Sequence, residues 1–342
     1  MSTLRFSLII CTYMRPEPLM KLLKSVQDQT LYPHEILIID GSTNNDTELV
    51  LQENSFENLH YFRVDDKDRG LTRQRNFGIS KVNSQSDIVC FLDDDVVLEP
   101  DYFKNLLHTY EVFPEALGVG GYINNEVKWE KIENNYIPLN KDFCYDGWKR
   151  TDGSRFVLRK KLNLDSNCPP GFSPTFSHGR SIGFLPPSNK TYQVEQLMGG
   201  VSSFKKSVFD TLSFSTYFEG YGLYEDADFT LRVAKKGKLY VNTAARLAHF
   251  HAPSGRPNRY SYGKMVVRNG WYVWRVKKPK PSFQDHLKWN SITILLTFIR
   301  FTNAIKGSNK KAAFTEALGR TVGWWSLIFN KPVLSSTDKT NV

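Results

Sequence analysis

Short apolar runs alternate with segments of helical periodicity through the first third of the chain. Residues 6–11, 35–40, 59–64 and 88–92 are runs rich in β-branched, aromatic and other apolar side chains, which predicts strands. Apolar residues at helical spacing predict helices over residues 19–26 and 71–82, and Pro16 and Pro18 stand where the first of them can begin. This alternation predicts an α/β fold with a mostly parallel central sheet and helices on both faces.

Polar residues stand at the carboxyl ends of three of these predicted strands. They are Thr12, Asp40 and the consecutive acids at 93–95. In open parallel sheets ligands bind beyond the carboxyl ends of the strands, so we expect these side chains to share one crevice.

The pattern changes after residue 125. Residues 125–190 are rich in Asn, Pro, Gly, Lys and aromatic residues, which predicts an insertion of loops and short strands beside the crevice. Beyond it we expect a helical segment after Gly199 and Gly200, a helix over 225–236 ended by Gly237, and two further strands at 238–242 and 245–251.

Composition agrees with a packed protein and divides the chain by charge. Hydrophobic residues make up 40% and aromatic residues 13% of the 342 residues, which excludes intrinsic disorder and a collagen-like chain. The net charge of +10 is uneven, because residues 255–342 hold 16 Lys and Arg against 3 Asp and Glu, whereas residues 1–254 hold 29 against 32. Two regions of different chemistry are therefore expected.

Cysteine usage and hydropathy indicate a cytoplasmic protein. The four cysteines show neither CxxC nor zinc-type spacing, which is typical of a reducing compartment. The apolar run at 6–11 is too short for a signal peptide, and no run reaches the roughly 18 residues of a membrane span.

Two acidic clusters carry the strongest chemical signals. Asp93, Asp94 and Asp95 directly follow a predicted strand, and three adjacent carboxylates suit a hard divalent cation such as Mg²⁺ or Mn²⁺, although a solvated acidic turn is the alternative. Glu225 and Asp226 open a predicted helix, where one of them can act as a general base or simply complement the helix dipole.

Histidines and arginines could complete such a site. His249 and His251 are two residues apart on a predicted strand and so share a face, where either could ligate a metal. Arg73 and Arg75 could neutralise phosphates, or lie on a solvated helix face.

Several motifs in a fixed order give the chain a resemblance to a known family. They are SLIICTY at 7–13, EILIIDGS at 35–42, Gly70 with Arg75-Asn76, FLDDD at 91–95, Gly199-Gly200, Glu225-Asp226 and the late histidines. Over about residues 5–255 the chain resembles the family 2 glycosyltransferases. The resemblance implies a Rossmann-like GT-A catalytic domain at 1–255, with 125–190 as an acceptor-side insertion and 256–342 as a basic, Trp-rich helical extension.

The resemblance also implies roles for single residues. Donor binding is implied for Thr12, Tyr13, Arg15, Asp40, Arg73, Arg75, Asp93, Asp94, Gly199 and Gly200. A Mn²⁺ or Mg²⁺ ion would be held by Asp95, Asp93 and His251 or His249. Asp226 would be the general base, with Glu225 orienting the acceptor or sharing that task.

The expected reaction is metal-dependent sugar transfer with inversion, from a nucleotide-diphosphate donor to a hydroxyl of a glycan or lipid-linked acceptor in cell-surface polysaccharide synthesis. UDP is the expected nucleotide, with dTDP or GDP as alternatives. The chain departs from the family pattern in having one acid, Asp40, before Gly41-Ser42, and it lacks the QxxRW motif of processive synthases. Transfer of one or a few sugars is therefore expected.

The basic extension predicts where the protein acts. Five of the seven tryptophans lie there beside short apolar stretches and Lys or Arg, which is typical of helices at a membrane interface, so we expect peripheral contact at the inner face of the membrane. Packing on the catalytic domain or in a homo-oligomer is the alternative, and nucleic acid ranks last. The rival functions are a sugar nucleotidyltransferase and a non-enzymatic membrane- or nucleic-acid-binding module.

Overall fold

A computed structural model describes residues 4–250 and 257–334. The chain divides into two compact units. Unit 1 comprises the described residues 4–127 and 187–250, and unit 2 comprises 128–186 and 257–334. The segment expected as an insertion therefore belongs to the same unit as the C-terminal helices.

The elements follow one another in four stretches. Residues 4–127 form β1 (Phe6–Thr12), α1 (Pro16–Gln27), β2 (Glu35–Asp40), α2 (Asp46–Gln52), β3 (Leu59–Arg63), α3 (Leu71–Lys81), β4 (Ile88–Asp93), β5 (Val96–Leu98), α4 (Tyr102–Val112) and β6 (Ala116–Ile123). Residues 128–186 form β7 (Glu130–Lys131), β8 (Asp142–Tyr145), β9 (Trp148–Thr151) and α5 (Ser154–Lys161). Residues 187–250 form β10 (Thr191–Val194), β11 (Val201–Lys205), α6 (Val208–Thr211), α7 (Glu225–Ala234) and β12 (Lys238–His249). The last stretch forms α8 (Arg259–Lys277), α9 (Phe283–Lys306) and α10 (Lys310–Phe329).

Unit 1 is built on a nine-stranded sheet in the order β10-β12-β6-β11-β4-β1-β2-β3, with β5 paired to β12. The four strands β3, β2, β1 and β4 are parallel neighbours, and β6 is parallel to β12. Strand β11 lies antiparallel between β4 and β6. The parallel strands bring their carboxyl ends to one edge, where the candidate functional residues lie.

Helices cover both faces of this sheet. Along β1, Leu8 and Ile10 join a core cluster with Leu22 of α1 and Leu106 of α4. On the opposite face, α3 packs so closely that a Cβ added to Gly78 would lie 2.9 Å from Ile9. Because side chains alternate along a strand, each apolar run of the parallel strands is buried on both sides. The predicted α/β class is confirmed.

Unit 2 combines a small sheet, in the order β7-β9-β8, with the three long helices. Its core is rich in tryptophan, with Trp274 and Trp289 stacked at a ring-centroid distance of 5.2 Å. The indole of Trp274 donates a 2.7 Å hydrogen bond to the carbonyl of Thr175, whose hydroxyl donates to Asp285 of α9. Residues 128–186 thus share buried polar contacts with the C-terminal helices.

The structure differs from the sequence prediction in two places near the site. Gly199 and Gly200 lead into strand β11, where a helical segment was predicted, because Val201–Lys205 pairs with strands distant in sequence. The two strands predicted after Gly237 are one strand, β12, whose register shifts between Val241 and Arg246. In addition, among the described residues no helix is both long and apolar enough to cross a bilayer.

Candidate active site

Three strands end together at the edge of unit 1. In the sheet Thr12 is level with Asp40 of β2, and Cys11 is level with Asp93 of β4. The Thr12 hydroxyl donates a 2.7 Å hydrogen bond to Asp94, which ties the end of β1 to the acidic turn after β4. The predicted convergence of these polar strand ends is therefore present.

Asp40 is fully buried, and its carboxylate serves the local structure. One oxygen accepts hydrogen bonds from the backbone N–H and the hydroxyl of Ser42, and the other accepts from the Tyr61 hydroxyl at 2.9 Å. Ser42 in turn accepts a hydrogen bond from the backbone N–H of Met14. Asp40 thus shapes the loop after β1, and its partner Tyr61 is a contact that local sequence patterns did not single out.

The three consecutive acids point to different partners. Asp94 is buried and accepts from Thr12 and from Arg15, whose guanidinium also lies 3.4 Å from Asp95. Asp93 is the exposed member, with 44% of its side chain accessible, and lies 3.7 Å from Arg75. Burial raises the pKa of Asp94 to about 6, against the lowering effects of the Thr12 hydrogen bond and Arg15. Asp94 is therefore a bridge between strands, while Asp93 and Asp95 face a shared space.

Asp93, Asp95 and His249 form a candidate metal centre. One ligand atom from each lies within 4.8 Å of the others, and the Asp95 carboxylate is 3.2 Å from Nε2 of His249. Two carboxylates and an imidazole suit a divalent ion that accepts both oxygen and nitrogen ligands, such as Mn²⁺, and Mg²⁺ would use the carboxylates with water. The donor set fits the expected cofactor. His251, the other histidine considered, lies outside the described residues.

Glu126 orients the histidine of this centre. Its carboxylate lies 3.1 Å from Nδ1 of His249, which leaves Nε2 directed at Asp95. The neighbouring Asn125 side chain both donates to the carbonyl and accepts from the N–H of His249. A carboxylate on the far nitrogen of a ligating histidine fixes its tautomer and ring orientation. Glu126 was missed because it is 123 residues from His249 and lies in an Asn-rich loop without a recognisable motif.

A buried ion pair lies next to the acidic turn. The guanidinium of Arg75 is buried, contacts the Glu225 carboxylate, and lies over the rings of Phe91 and Phe214. The second carboxylate oxygen of Glu225, Oε2, is buried without a hydrogen-bond partner in the structure. Burial raises the pKa of Glu225 to about 8, although Arg75 acts in the opposite direction. Arg75 therefore connects Asp93 with the acids of α7, and Glu225 keeps an unsatisfied polar atom.

Asp226 lies at the start of α7 with its carboxylate toward the strand edge. It accepts hydrogen bonds from the backbone N–H groups of Ala227 and Gly199, at 2.7 and 3.3 Å. Burial raises the pKa of Asp226. Tyr224, the residue before the acidic pair, has φ of 71°, a left-handed conformation that is costly for a bulky side chain and is concentrated at functional sites. Asp228, a further acid in the first turn of α7, is instead bound by Arg232 one turn later.

Gly199 and Gly200 allow this close assembly. A Cβ on Gly200 would collide with the carboxylate of Asp93, and one on Gly199 would come within 2.7 Å of Arg75. With these side chains in their present positions, glycine at both places leaves room for the backbone to approach the acids and the arginine.

Tyr13 and Arg73 are the remaining predicted donor residues. Tyr13 is exposed in the loop after β1, and Arg73 of α3 pairs with Glu219 in the loop before α7. That loop contains Gly220 and Gly222, both with positive φ, and a Cβ on Gly70 would come within 3.5 Å of Gly220. Arg73 thus contacts the loop before α7, whereas Arg75 contacts the acids directly.

Comparison with known proteins relates the first half of the chain to a known family. Residues 7–174 match the sequence model of Glycosyl transferase family 2. Over 140 residues the chain is 31% identical to a glucosyl-dolichyl phosphate glucuronosyltransferase of Haloferax volcanii, which covers 40% of this chain and 42% of that protein. Over 170 residues it is 30% identical to a GalNAc(5)-diNAcBac-PP-undecaprenol beta-1,3-glucosyltransferase of Campylobacter jejuni, which covers 47% of this chain and 53% of that protein. The chain thus spans about half the length of these relatives.

A solved structure shares the fold. The crystal structure of GalNAc-T7 with UDP, GalNAc and Mn²⁺ superposes with a TM-score of 0.51 at 17% identity, covering 79% of this chain and 50% of that one. At this identity the likeness concerns the fold alone, and the predicted GT-A class is confirmed.

Proposed function

We propose that the chain, whose residues 7–174 match the model of Glycosyl transferase family 2, is a metal-dependent, inverting glycosyltransferase of that family. It would move a sugar from a nucleotide-diphosphate donor to a hydroxyl of a glycan or lipid-linked acceptor. The observation that carries this proposal is the meeting of Asp93, Asp95 and His249 with Arg75 at the carboxyl edge of the parallel strands. Asp226 joins them through its hydrogen bond from Gly199.

Donor binding would use the polar residues around the acidic turn. Asp93, Asp95 and His249 would hold Mn²⁺ or Mg²⁺, and the ion would supply Lewis-acid stabilisation of the diphosphate leaving group. Arg75 is fixed between Asp93 and Glu225, so its charge is available without reorganisation as the diphosphate becomes more negative. Thr12, held against Asp94, and the loop shaped by Asp40 would border the nucleoside. UDP is the nucleotide proposed, with dTDP and GDP as alternatives.

Acceptor activation would fall to Asp226. Its raised pKa makes it a stronger base than an exposed carboxylate, and the N–H groups of Gly199 and Ala227 hold it in place. Removal of the acceptor proton by Asp226 would accompany attack on the anomeric carbon from the face opposite the diphosphate, which inverts the configuration. Glu225 would orient the acceptor through its unpaired Oε2.

The names of the two relatives support a lipid-linked acceptor. One is named for a dolichyl phosphate substrate and the other for an undecaprenol diphosphate substrate. We extend this substrate class to the present chain, in cell-surface polysaccharide synthesis at the cytoplasmic face of the membrane. The basic C-terminal helices would provide peripheral contact with that membrane.

Donor turnover tests the proposal. The protein is incubated with a panel of UDP-, dTDP- and GDP-sugars with and without Mn²⁺, and release of the nucleoside diphosphate is measured. We expect Mn²⁺-stimulated release that Asp95→Asn lowers by about a hundredfold or more, because the substitution removes a metal ligand.

The matched control is Asp210→Asn, an exposed acid of α6 in the same unit. It should turn over the donor at the wild-type rate. Absence of turnover with every donor, or an Asp95→Asn variant as active as wild type, would overturn the proposal. Release of inorganic diphosphate from a nucleoside triphosphate and a sugar phosphate would identify a nucleotidyltransferase instead.

A further inference from the structure

Helix α9 carries an apolar stripe on its exposed side. Its exposed large apolar residues are Phe283, Leu287, Ile294, Phe298 and Ile305. At about 100° per residue these five positions fall within about 60° of one another around the helix axis. The buried residues Asp285, Trp289 and Ile292 point to the opposite side, into unit 2. The stripe is therefore separate from the face that holds the unit together.

Helix α10 carries a second stripe beside the first. Its exposed large apolar residues are Phe314, Leu318, Trp325, Ile328 and Phe329. Three contacts show that α9 and α10 run antiparallel: Phe301 with Phe314, Arg300 with Glu316, and Asn290 with Trp324. The two stripes lie on either side of the line along which α9 and α10 contact each other. The ten residues therefore form one surface, which we name the α9–α10 face.

The exposed charged residues of the C-terminal helices are all positive. Among the described residues 257–334 the acids are Asp285 and Glu316, and both are buried. Asp285 caps α9 and accepts from Thr175, while Glu316 is bound by Arg300 and Arg320. Lysines lie exposed at both ends of the hairpin, namely Lys306, Lys310, Lys311, Lys280 and Lys331. No exposed acid of these helices offsets them.

We infer that the α9–α10 face lies on an anionic lipid bilayer, with its aromatic and aliphatic side chains at the level of the headgroups and the lysines against lipid phosphates. Paired apolar stripes flanked by lysine are what an interfacial helix presents to such a surface. Because the two stripes run along the length of both helices, contact would place the helix axes parallel to the membrane plane. The inference deepens the membrane part of the proposed function and does not depend on the transferase chemistry.

Vesicle flotation tests this directly. The full chain is mixed with vesicles of phosphatidylcholine alone or of an equimolar mixture of phosphatidylcholine and phosphatidylglycerol. We expect flotation with the anionic vesicles, weakened by high salt because the lysines contribute. The double variant Phe298→Ser/Trp325→Ser should lower the partition coefficient by about tenfold or more, since it removes two large side chains from the face.

The matched control replaces equally exposed apolar residues of unit 1. Leu49 and Val112 are 54% and 53% exposed, close to the 62% and 54% of Phe298 and Trp325. Leu49→Ser/Val112→Ser should float like wild type. Failure of wild type to float, or a Phe298/Trp325 variant that floats normally, would overturn the inference. A wild-type dimer in analytical ultracentrifugation that this variant converts to monomer would assign the face to a second copy instead. Donor turnover, measured in parallel, reports on the proposed function separately.

Discussion

Both units bury charged side chains, but two of their buried carboxylates, Asp152 and Glu225, differ in how completely they are paired. In unit 2, Asp152 accepts two hydrogen bonds from Arg180 and lies 2.8 Å from Lys160, and Arg180 also binds Asp165. In unit 1, Glu225 keeps an unpaired oxygen beside Arg75, and Asp93 remains 44% exposed. A buried ionic group is normally satisfied by its neighbours, and exceptions are expected where a ligand or a reaction completes the set. Asp152 is enclosed by its cations, whereas Glu225 keeps one oxygen without a hydrogen bond. Beside the Asp152 cluster, Asp165 Oδ1 also lacks a hydrogen bond, but it lies 3.4 Å from the Arg159 guanidinium.

Asp226 gives the largest expected effect. Asp226→Asn should lower sugar transfer by about 10²- to 10⁴-fold, because an amide cannot accept the acceptor proton. Donor affinity measured by calorimetry should be unchanged. The control is Asp228→Asn in the same helical turn, which loses the Arg232 ion pair and should lower stability while keeping transfer per folded molecule. Normal transfer by Asp226→Asn would contradict its role as the base.

Breaking the buried Asp152 ion pairs of unit 2 should lower the stability of the protein. Asp152→Asn should lower the free energy of unfolding by about 3 kcal/mol, because it leaves Arg180 and Lys160 with less compensation inside the unit. Urea denaturation measures the change. Glu130→Gln breaks an exposed pair with Lys149 in the same unit, and should change the free energy by less than about 0.5 kcal/mol. If the two substitutions changed the free energy of unfolding equally, the buried pair would be no more stabilising than the exposed pair, and the prediction would be wrong.

Glu126 allows the candidate metal centre of unit 1 to be tested through the orientation of His249. Glu126→Ala should weaken Mn²⁺ binding by about tenfold to a hundredfold, because the ring of His249 loses the carboxylate that orients it, and Glu126→Gln should have a smaller effect. Calorimetric titration with Mn²⁺ alone gives the affinity. His108 and Glu111 form a similar pair at 3.1 Å on the surface of α4, so Glu111→Ala is the control. Unchanged Mn²⁺ affinity in Glu126→Ala would count against the metal centre.

The smallest expected effect is a pH dependence in unit 2. Burial lowers the pKa of His178 to about 3, with Arg159, Arg320 and Arg155 adding to the shift. Because the pKa in the folded state is below the unfolded value, this contribution to stability is present above pH 6.5 and is lost as pH falls toward 3. From pH 7 to 5 we expect a loss of about 2 kcal/mol, measured by denaturation. His178→Gln should flatten this part of the profile, and an unchanged slope would refute the assignment.

Much of the fold follows from local pattern in the parallel half of the sheet. The runs that become β1, β2 and β4 are continuously apolar because both faces are covered, and that signal is strong in a single sequence. Strand β11 escaped prediction because Val201–Lys205 has two adjacent serines, and its pairing with β4 and β6 decides its conformation. Long-range pairing of this kind overrides local preference.

The part of the candidate site that could be predicted is the part in which acidic residues are adjacent in sequence. Asp93, Asp94 and Asp95 stood out because like charges accumulate at one strand end, yet the sequence could not show that Asp94 is turned toward Thr12. Glu126 meets His249 only through the sheet, and Asp40 is bound by Tyr61, a contact 21 residues away. Partners that meet through tertiary structure leave no local signal.

Because strand β12 carries His249, the candidate metal centre can form only after β12 has been synthesised. It is the last strand of unit 1 along the chain, but it pairs with β10, β6 and β5 and ends at His249. Since domains emerge from the ribosome from the amino end, the acids at 93–95 are made long before the imidazole that completes the candidate metal centre. A nascent or prematurely terminated chain that stops before residue 238 lacks both the strand and its histidine. Such fragments would carry the acids at 93–95 and the family match of residues 7–174, but they would lack the imidazole that completes the candidate metal centre.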